Sequence, residues 1–522
     1  MNAEVLAAPW DCIVIGTGIG GGTAGRALAE AGHRVLFIEK GTAGRRTEET
    51  PLDNAIADPF ARSVRGFWPD RVSARLDGRM QEFHAALGSG VGGSSVFYAA
   101  TLERPEPHDL DHSEDRPHPT GGWPVSHAEM RPWFDEAERL YAIHGEPDPL
   151  SDITCPNLSV PPEPSAGDRI IIDRLRANGL NPYRLHAAVR YLEGCRECFG
   201  RKCPRPCKMD GRSAGVEPAL AMGRAAVLER AEVTRLLGKA GRITGLELRL
   251  DGQLVTIAAP RVILAAGALV SPRLMLASAC EDWPRGCANG SDQVGRNLMF
   301  HLNEMFALFA GQDAAASGPS KSVGFRDLYF HDGQRLGMVQ AMGVDAGHGE
   351  ILHNLRQRAA RTRLGQTRAA QELARLPAAI AHRILGGAKL FVGLLEDMPL
   401  PDNRVTLDPD DPARIRFDYD ISAELLARRS TFRKGIRSAF RGSRVLFLNH
   451  APEPNFGHPS GTLRMGSDPG SSVIGPDGRC HEIENLWVAD ASFMPTSMGV
   501  NPSLTIAAHA LRLAHHITGD RP

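Results

Sequence analysis

No window of about 18 consecutive apolar residues occurs anywhere in this 522-residue chain, which argues against a membrane-spanning helix. A surplus of either charge is missing too. The 60 Lys and Arg against 61 Asp and Glu leave a formal net charge of −1, so neither nucleic acid nor an anionic membrane is an expected partner. The segment from Met1 to Trp10 lacks the basic and then apolar regions of a secretory signal, and a strand begins almost at once; a cytoplasmic location is expected. Internal repeats and long low-complexity tracts are also absent. What remains is an ordinary soluble composition, 42% hydrophobic, with 55 glycines that promise tight turns and close backbone approaches. The length exceeds one ordinary core, so two domains or one large interlaced body are expected.

The first forty residues point to a dinucleotide. Asp11-Cys-Ile-Val-Ile15 is a short apolar run suited to a buried parallel strand. It leads into Gly16-Thr-Gly18-Ile-Gly20-Gly21 and then a helix that stops at Gly32. Gly16 permits the tight turn, Gly18 lets the backbone approach a pyrophosphate, and Gly21 allows close helix–strand packing. The helix start offers free N–H groups and a positive dipole end to phosphate. A second strand, Arg34-Val-Leu-Phe-Ile38, ends in Glu39, placed to accept hydrogen bonds from a ribose diol. This order of parts does not separate NAD from FAD. Apolar strands ending in glycine-rich turns recur near residues 15, 90, 265 and 488, and together they would line one sheet edge where a large cofactor can lie.

Nearly the whole chain resembles the glucose–methanol–choline (GMC) family of FAD-dependent oxidoreductases. The resemblance is carried by the N-terminal motif, by Gly88-Ser-Gly90-Val-Gly92-Gly93-Ser94, and by Ala225 to Val233. It continues in Arg261 to Ser271 with Gly267, in Val294-Gly-Arg-Asn-Leu-Met-Phe-His301, and in Asp490-Ala491-Ser492. What the resemblance implies is an α/β fold of the GMC and p-hydroxybenzoate-hydroxylase-like kind. A Rossmann-like FAD-binding domain (1–106, 208–305, 445–522) is interlaced with an α+β substrate domain (107–207, 306–444) carrying an antiparallel sheet. It implies FAD contacts at Gly16, Gly18, Gly21, Glu39, Gly92, Gly93, Ser94, Val233, Gly267, Asp490, Ala491, Asn501, Pro502 and Ser503. The run Ser94-Ser-Val-Phe-Tyr98 holds no histidine to tether a flavin, so non-covalent FAD is expected.

His458 and Asn501 match the family's two active-site positions. Oxidation of an alcohol needs a base for the hydroxyl proton while hydride leaves carbon for flavin N5, and an imidazole suits that task. The Asn501 amide would orient the substrate oxygen by donating one hydrogen bond and accepting another. Pro502 is placed for a helix's first turn, with the last helix expected over Ile506 to Ile517 and its start facing the flavin. The expected reaction is conversion of a primary or secondary alcohol, including sugars, glycosides and amino-sugars, to a carbonyl. Reoxidation would be by O2, a quinone or a protein carrier. A lyase of the same fold that keeps FAD without net redox is the alternative.

Of nine cysteines, four fall within thirteen residues, Cys195, Cys198, Cys203 and Cys207, among five basic side chains. Three readings stand open. Cys198, Cys203 and Cys207 reproduce the Cys-x4-Cys-x3-Cys spacing of the three-iron cluster in some sugar dehydrogenases of the family, which would make the chain an electron-relay subunit. Zinc is the second reading, and packed thiols or disulfides the third. Residues 351 to 389, rich in Arg, Ala and Leu at helical spacing, are expected as solvated helices of a lid rather than a membrane or partner contact.

Overall fold

Five apolar runs far apart in sequence meet in one parallel sheet. The computed structural model describes residues 2–44, 46, 59–315, 321–344, 347–360 and 362–519. In it β1 (Cys12–Ile15), β2 (Val35–Ile38), β3 (Ala225–Leu228), β4 (Val262–Leu264) and β5 (Leu486–Val488) pair in the order β5-β4-β1-β2-β3. Every neighbouring pair is parallel, with Ile13 opposite both Val262 and Leu36. Cys12, Ile13 and Val14 are fully buried, as expected of a strand covered on both faces. Two helices cover this sheet, α1 (Ile19–Glu30) and the C-terminal helix Ser503–Thr518, which begins three residues before the expected start. His509 of that last helix ties it to β5, with Nε2 donating to the Val488 carbonyl at 2.8 Å.

β1, β4 and β5 end side by side, so Gly16, the 265–267 turn and Asp490 emerge along one sheet edge. The segment near residue 90 reaches the same place differently. It adds no strand to this sheet; it lies over the edge as a turn and a short 3₁₀ helix, Gly93–Phe97, pinned by the Gly90 N–H donating to Glu39 Oε1 at 3.0 Å.

A six-stranded antiparallel sheet forms the second layer, in the order Arg444–Phe447, Leu302–Phe309, Lys389–Leu395, Val339–Ala341, Val323–Phe325, Tyr183–Arg184. Phe306, Phe325, Phe391 and Phe440 fill its core, with helix Ala423–Ala439 pressing Phe432 and Ile436 onto Gly393. A separate four-stranded sheet joins hairpin 72–83 to Ile415–Tyr419 in parallel register. In sequence that hairpin falls within the first piece expected for an FAD-binding domain, yet it pairs with a strand of the piece expected for a substrate domain.

Residues 351–389 hold α2 (His348–Ala359), a short turn of helix Arg368–Leu373 and α3 (Arg375–Leu385), joined by turns and ending where the strand Lys389–Leu395 begins. Leu373, Leu376, Ile380 and Ile384, spaced along one side, are all more than half exposed. Among the described residues no helix is long and apolar enough to cross a membrane.

Candidate active site

A cavity of about 360 Å³ runs along the sheet edge, within the size range of small-molecule sites. Its lining includes Gly16, Gly18, Glu39, Gly93, Ser94, Val233, Gly267, Asp490, Ala491, Pro502 and Ser503, together with His458 and Asn501. Fourteen FAD contacts were expected, and Gly21 and Gly92 alone among them stand outside this lining. Their roles are in packing. A Cβ on Gly21 would lie 2.1 Å from the Gly16 carbonyl oxygen, and the Gly92 N–H donates to Thr17 Oγ1 at 3.1 Å.

The residues present fit a dinucleotide. A Cβ on Gly18 or Gly267 would meet no atom within 4 Å, so both backbones are bare toward the cavity. α1 starts at Gly18 with no side-chain cap, leaving its first N–H groups for an anion. Glu39 is 6% exposed, and burial pushes its carboxyl above the usual range. Oε1 accepts from the Gly41 and Gly90 N–H groups at 3.0 Å each, and Oε2 accepts from Thr17 Oγ1 at 2.6 Å. Thr17 was not anticipated from sequence; its hydroxyl welds the first glycine turn to the second. Asp490 spends its carboxylate internally. One oxygen accepts from the Gly267 N–H at 2.8 Å and the other from the Ser492 N–H at 2.9 Å, fastening the β4 turn to the β5 turn.

At the other end of the cavity, residues 455–463 thread between two elements. The Met299 and Ser460 backbones exchange N–H donations at 3.0 Å, and the Gly461 N–H donates to the Ala491 carbonyl at 3.1 Å. This holds His458 beside His301, the last residue of the Val294–His301 motif. The two Nδ1 atoms lie 3.0 Å apart, and His301 Nε2 is 2.8 Å from the Met498 carbonyl oxygen. A carbonyl only accepts, so His301 Nε2 carries the hydrogen. Burial lowers His301 to about 4, so its Nδ1 is a bare acceptor. His458 Nδ1–H must then donate to it, which leaves His458 Nε2 with a free lone pair. Burial, then His301 and Lys321, push His458 down to about 3 and keep it neutral. Lys321 is itself buried, lowered to about 7, and donates to the Ala341 carbonyl at 3.2 Å.

Asn501 shares this end of the cavity, 8% exposed, and its Oδ1 has no hydrogen-bond partner within the protein. Its loop is clamped from the antiparallel layer. The Gly499 N–H donates to Tyr329 Oη at 2.6 Å, and the Met338 N–H donates to the Gly499 carbonyl at 3.0 Å. His301 and Tyr329 were the signals hardest to read in sequence, because their partners lie 157 and 170 residues away.

The four clustered cysteines pack together outside the cavity, and none is in a disulfide. Cys203 is held below the usual thiol value, first by its hydrogen bond with Cys198, while burial raises Cys207, which bonds with Cys195. All four thiols thus lie in one packed cluster. Among the described residues no group of three His, Cys, Asp or Glu is arranged to hold a metal ion. The buried Lys208 stitches this loop to the cavity wall, donating to the Val96 carbonyl at 2.8 Å and the Cys198 carbonyl at 3.0 Å.

Comparison with known proteins agrees with this architecture. Models of the GMC oxidoreductase family match residues 11–303 and 399–510. Paromamine 6'-oxidase of Streptomyces fradiae is 27% identical over 98% of this chain and 92% of its own. The 2-methyl-1,2-propanediol dehydrogenase of Mycolicibacterium austroafricanum is 27% identical over 97% and 95%. Pyridoxine 4-oxidase from Mesorbium loti superimposes with a TM-score of 0.63 at 20% identity, covering 98% of this chain and all of that one. With the family matched across more than half its length and its fold reproduced from end to end, the chain belongs to the GMC oxidoreductases, a family of flavoproteins.

Proposed function

We propose that this chain oxidises a primary or secondary alcohol to a carbonyl, with His458 as the proton acceptor and Asn501 as the orienting partner. The observation that carries the reading is the bare Nε2 of His458 in the same cavity as the unpartnered Oδ1 of Asn501. FAD, when bound, supplies the acceptor for the hydride that leaves the alcohol carbon. Gly16, Gly18 and the start of α1 would hold its pyrophosphate, Glu39 the ribose and Val233 the adenine end. Gly93, Ser94, Gly267, Asp490, Ala491, Pro502 and Ser503 would line the rest of its length. The chain's own residues do the proton chemistry. Asn501 donates from its amide Nδ2–H to the substrate oxygen and aligns it, and Nε2 of His458 takes the hydroxyl proton. His301 keeps that nitrogen unprotonated by accepting from Nδ1–H.

Binding of FAD is read as non-covalent, and no electrons are routed through Cys198, Cys203 and Cys207. The acceptor that reoxidises the enzyme is O2, a quinone or a protein carrier. One experiment tests these statements together. Protein purified anaerobically is expected to show the absorption bands of oxidised flavin and to lose them on addition of an alcohol or sugar. Acid precipitation is expected to release the flavin into the supernatant, and iron is expected at background level. Flavin that no alcohol bleaches would overturn the redox reading and favour the lyase. Stoichiometric iron with acid-labile sulfide would make the three cysteines cluster ligands and the chain a relay subunit.

A further inference from the structure

α3 and the two residues before it have two apolar sides, and the fold uses only one of them. Ala374, Ala378 and Leu385 face inward and are buried, the first two against Leu352 of α2 and the last against Ala307 of the Leu302–Phe309 strand. Leu373, Leu376, Ile380 and Ile384 recur at spacings of three and four, which sets them along one side of a helix with about 3.6 residues per turn. They are 72%, 68%, 54% and 53% exposed. Removing aliphatic side chains from water is favourable. A row of them turned outward, on a helix already anchored by its other side, marks a surface built to be covered.

The charge around this row identifies the cover. The whole chain carries −1, yet residues 351–389 hold eight Lys and Arg against one acid, Glu372. Glu372 is shared between Arg356 at 3.1 Å and Arg375 at 2.7 Å, and Arg358 is paired with Glu453 at 3.1 Å. Arg363, Arg368 and Arg383 are exposed and make no ion pair among the described residues. Arg383 follows Ile380 by three residues and Leu376 by seven, which puts it along the edge of the apolar row. Aliphatic side chains edged by arginines, on the outside of a helix rather than in a groove, fit the headgroup boundary of an anionic bilayer. The Leu and Ile side chains enter the acyl layer while the guanidinium groups meet lipid phosphate. A second copy of the chain fits less well, because a two-fold contact through this face would set the same cations against one another.

We infer that the outward side of residues 368–385 docks on an anionic lipid bilayer, with the enzyme lying peripherally and this segment in the plane of the interface. A solvated lid, the reading that sequence alone favours, gives the arginines their water but leaves four aliphatic side chains facing it as well. Docking is independent of the alcohol oxidation proposed above: it adds where the enzyme works, not what it converts.

The test is co-sedimentation of the full FAD-loaded chain with vesicles of phosphatidylcholine alone or mixed equally with phosphatidylglycerol. At about 0.1 M salt the wild type is expected to partition at least tenfold more strongly onto the mixed vesicles, and to lose most of that binding at about 1 M. The triple variant Leu376→Gln, Ile380→Gln, Ile384→Gln and the triple variant Arg363→Gln, Arg368→Gln, Arg383→Gln are each expected to bind at least tenfold more weakly. Their flavin-to-protein ratio reports folding. Ile380→Trp serves even where a triple variant fails to fold: the fluorescence it adds over the wild type should be quenched by brominated lipid in the mixed vesicles. Failure of the wild type to bind, binding that folded triple variants retain, or an added tryptophan that brominated lipid leaves unquenched would overturn the docking surface. So would self-association of the wild type without vesicle binding, abolished by the Leu and Ile substitutions, which would give the apolar row to a second copy.

Discussion

A histidine acts as a base only through a nitrogen that has no hydrogen on it, and at His458 a second histidine decides which nitrogen that is. The chain of donation runs from His458 Nδ1–H to His301 Nδ1 and from His301 Nε2–H to the Met498 carbonyl. Removing the base, in His458→Ala, is expected to lower turnover by about 10²–10⁴-fold while the FAD content stays near that of the wild type. A fully active His458→Ala enzyme would end the assignment. His301 is a positioning residue, and its loss should look different. His301→Leu leaves the His458 Nδ1–H buried without an acceptor, so turnover should drop by roughly tenfold or more. His301→Gln, whose amide can accept from His458 and donate to Met498, should recover part of it. Equal loss in the Leu and Gln variants would mean that the histidine merely fills space.

The glycine turn and α1 were legible as elements because strand, turn and helix are set by neighbours in sequence: apolar β-branched residues, then glycines, then helix formers. The different jobs of its glycines were legible as well, Gly18 for approach of a ligand and Gly21 for packing. Gly18 and Gly21 sit in the same motif, but only Gly18 opens onto the cavity, while Gly21 abuts the Gly16 carbonyl. The difference predicts different failures. Gly18→Val should abolish FAD binding and leave a folded protein, since its side chain enters empty space. Gly21→Val should impair folding itself, because α1 cannot approach β1. Soluble yield and flavin-to-protein ratio of the two variants separate these outcomes, and a flavin-replete Gly18→Val would refute the cradle. At the same scale, the last helix starts at Ser503 because Pro502, with no N–H to satisfy, serves as its cap.

On the scale of the whole molecule, the C-terminal helix closes the first sheet, and His509 is the rivet. Its ring stacks on Phe493 at 3.9 Å between centroids while Nε2 donates to Val488. Burial lowers His509 to about 3, against about 6.5 in an unfolded chain. The folded state therefore refuses a proton that the unfolded state accepts. The stability this residue contributes is present above pH 6.5 and is lost as pH falls, by roughly 1.4 kcal/mol per unit. The Tm advantage of the wild type over His509→Phe should accordingly shrink from pH 7 to pH 5. An advantage that widens would mean the ring is charged in the fold.

The sequence by itself determined the family, the dinucleotide motif and the two polar residues at the end of the cavity, because these lie in short motifs whose meaning is local. Only the tertiary structure decided that His301 sets the tautomer of His458, that Thr17 joins two glycine turns, and that the four clustered cysteines pack together outside the cavity. It alone brought hairpin 72–83 against Ile415–Tyr419. Each of these depends on atoms brought within about 3 Å from distant parts of the chain, and hydrogen bonding, unlike strand or helix propensity, has no signature until that distance is closed.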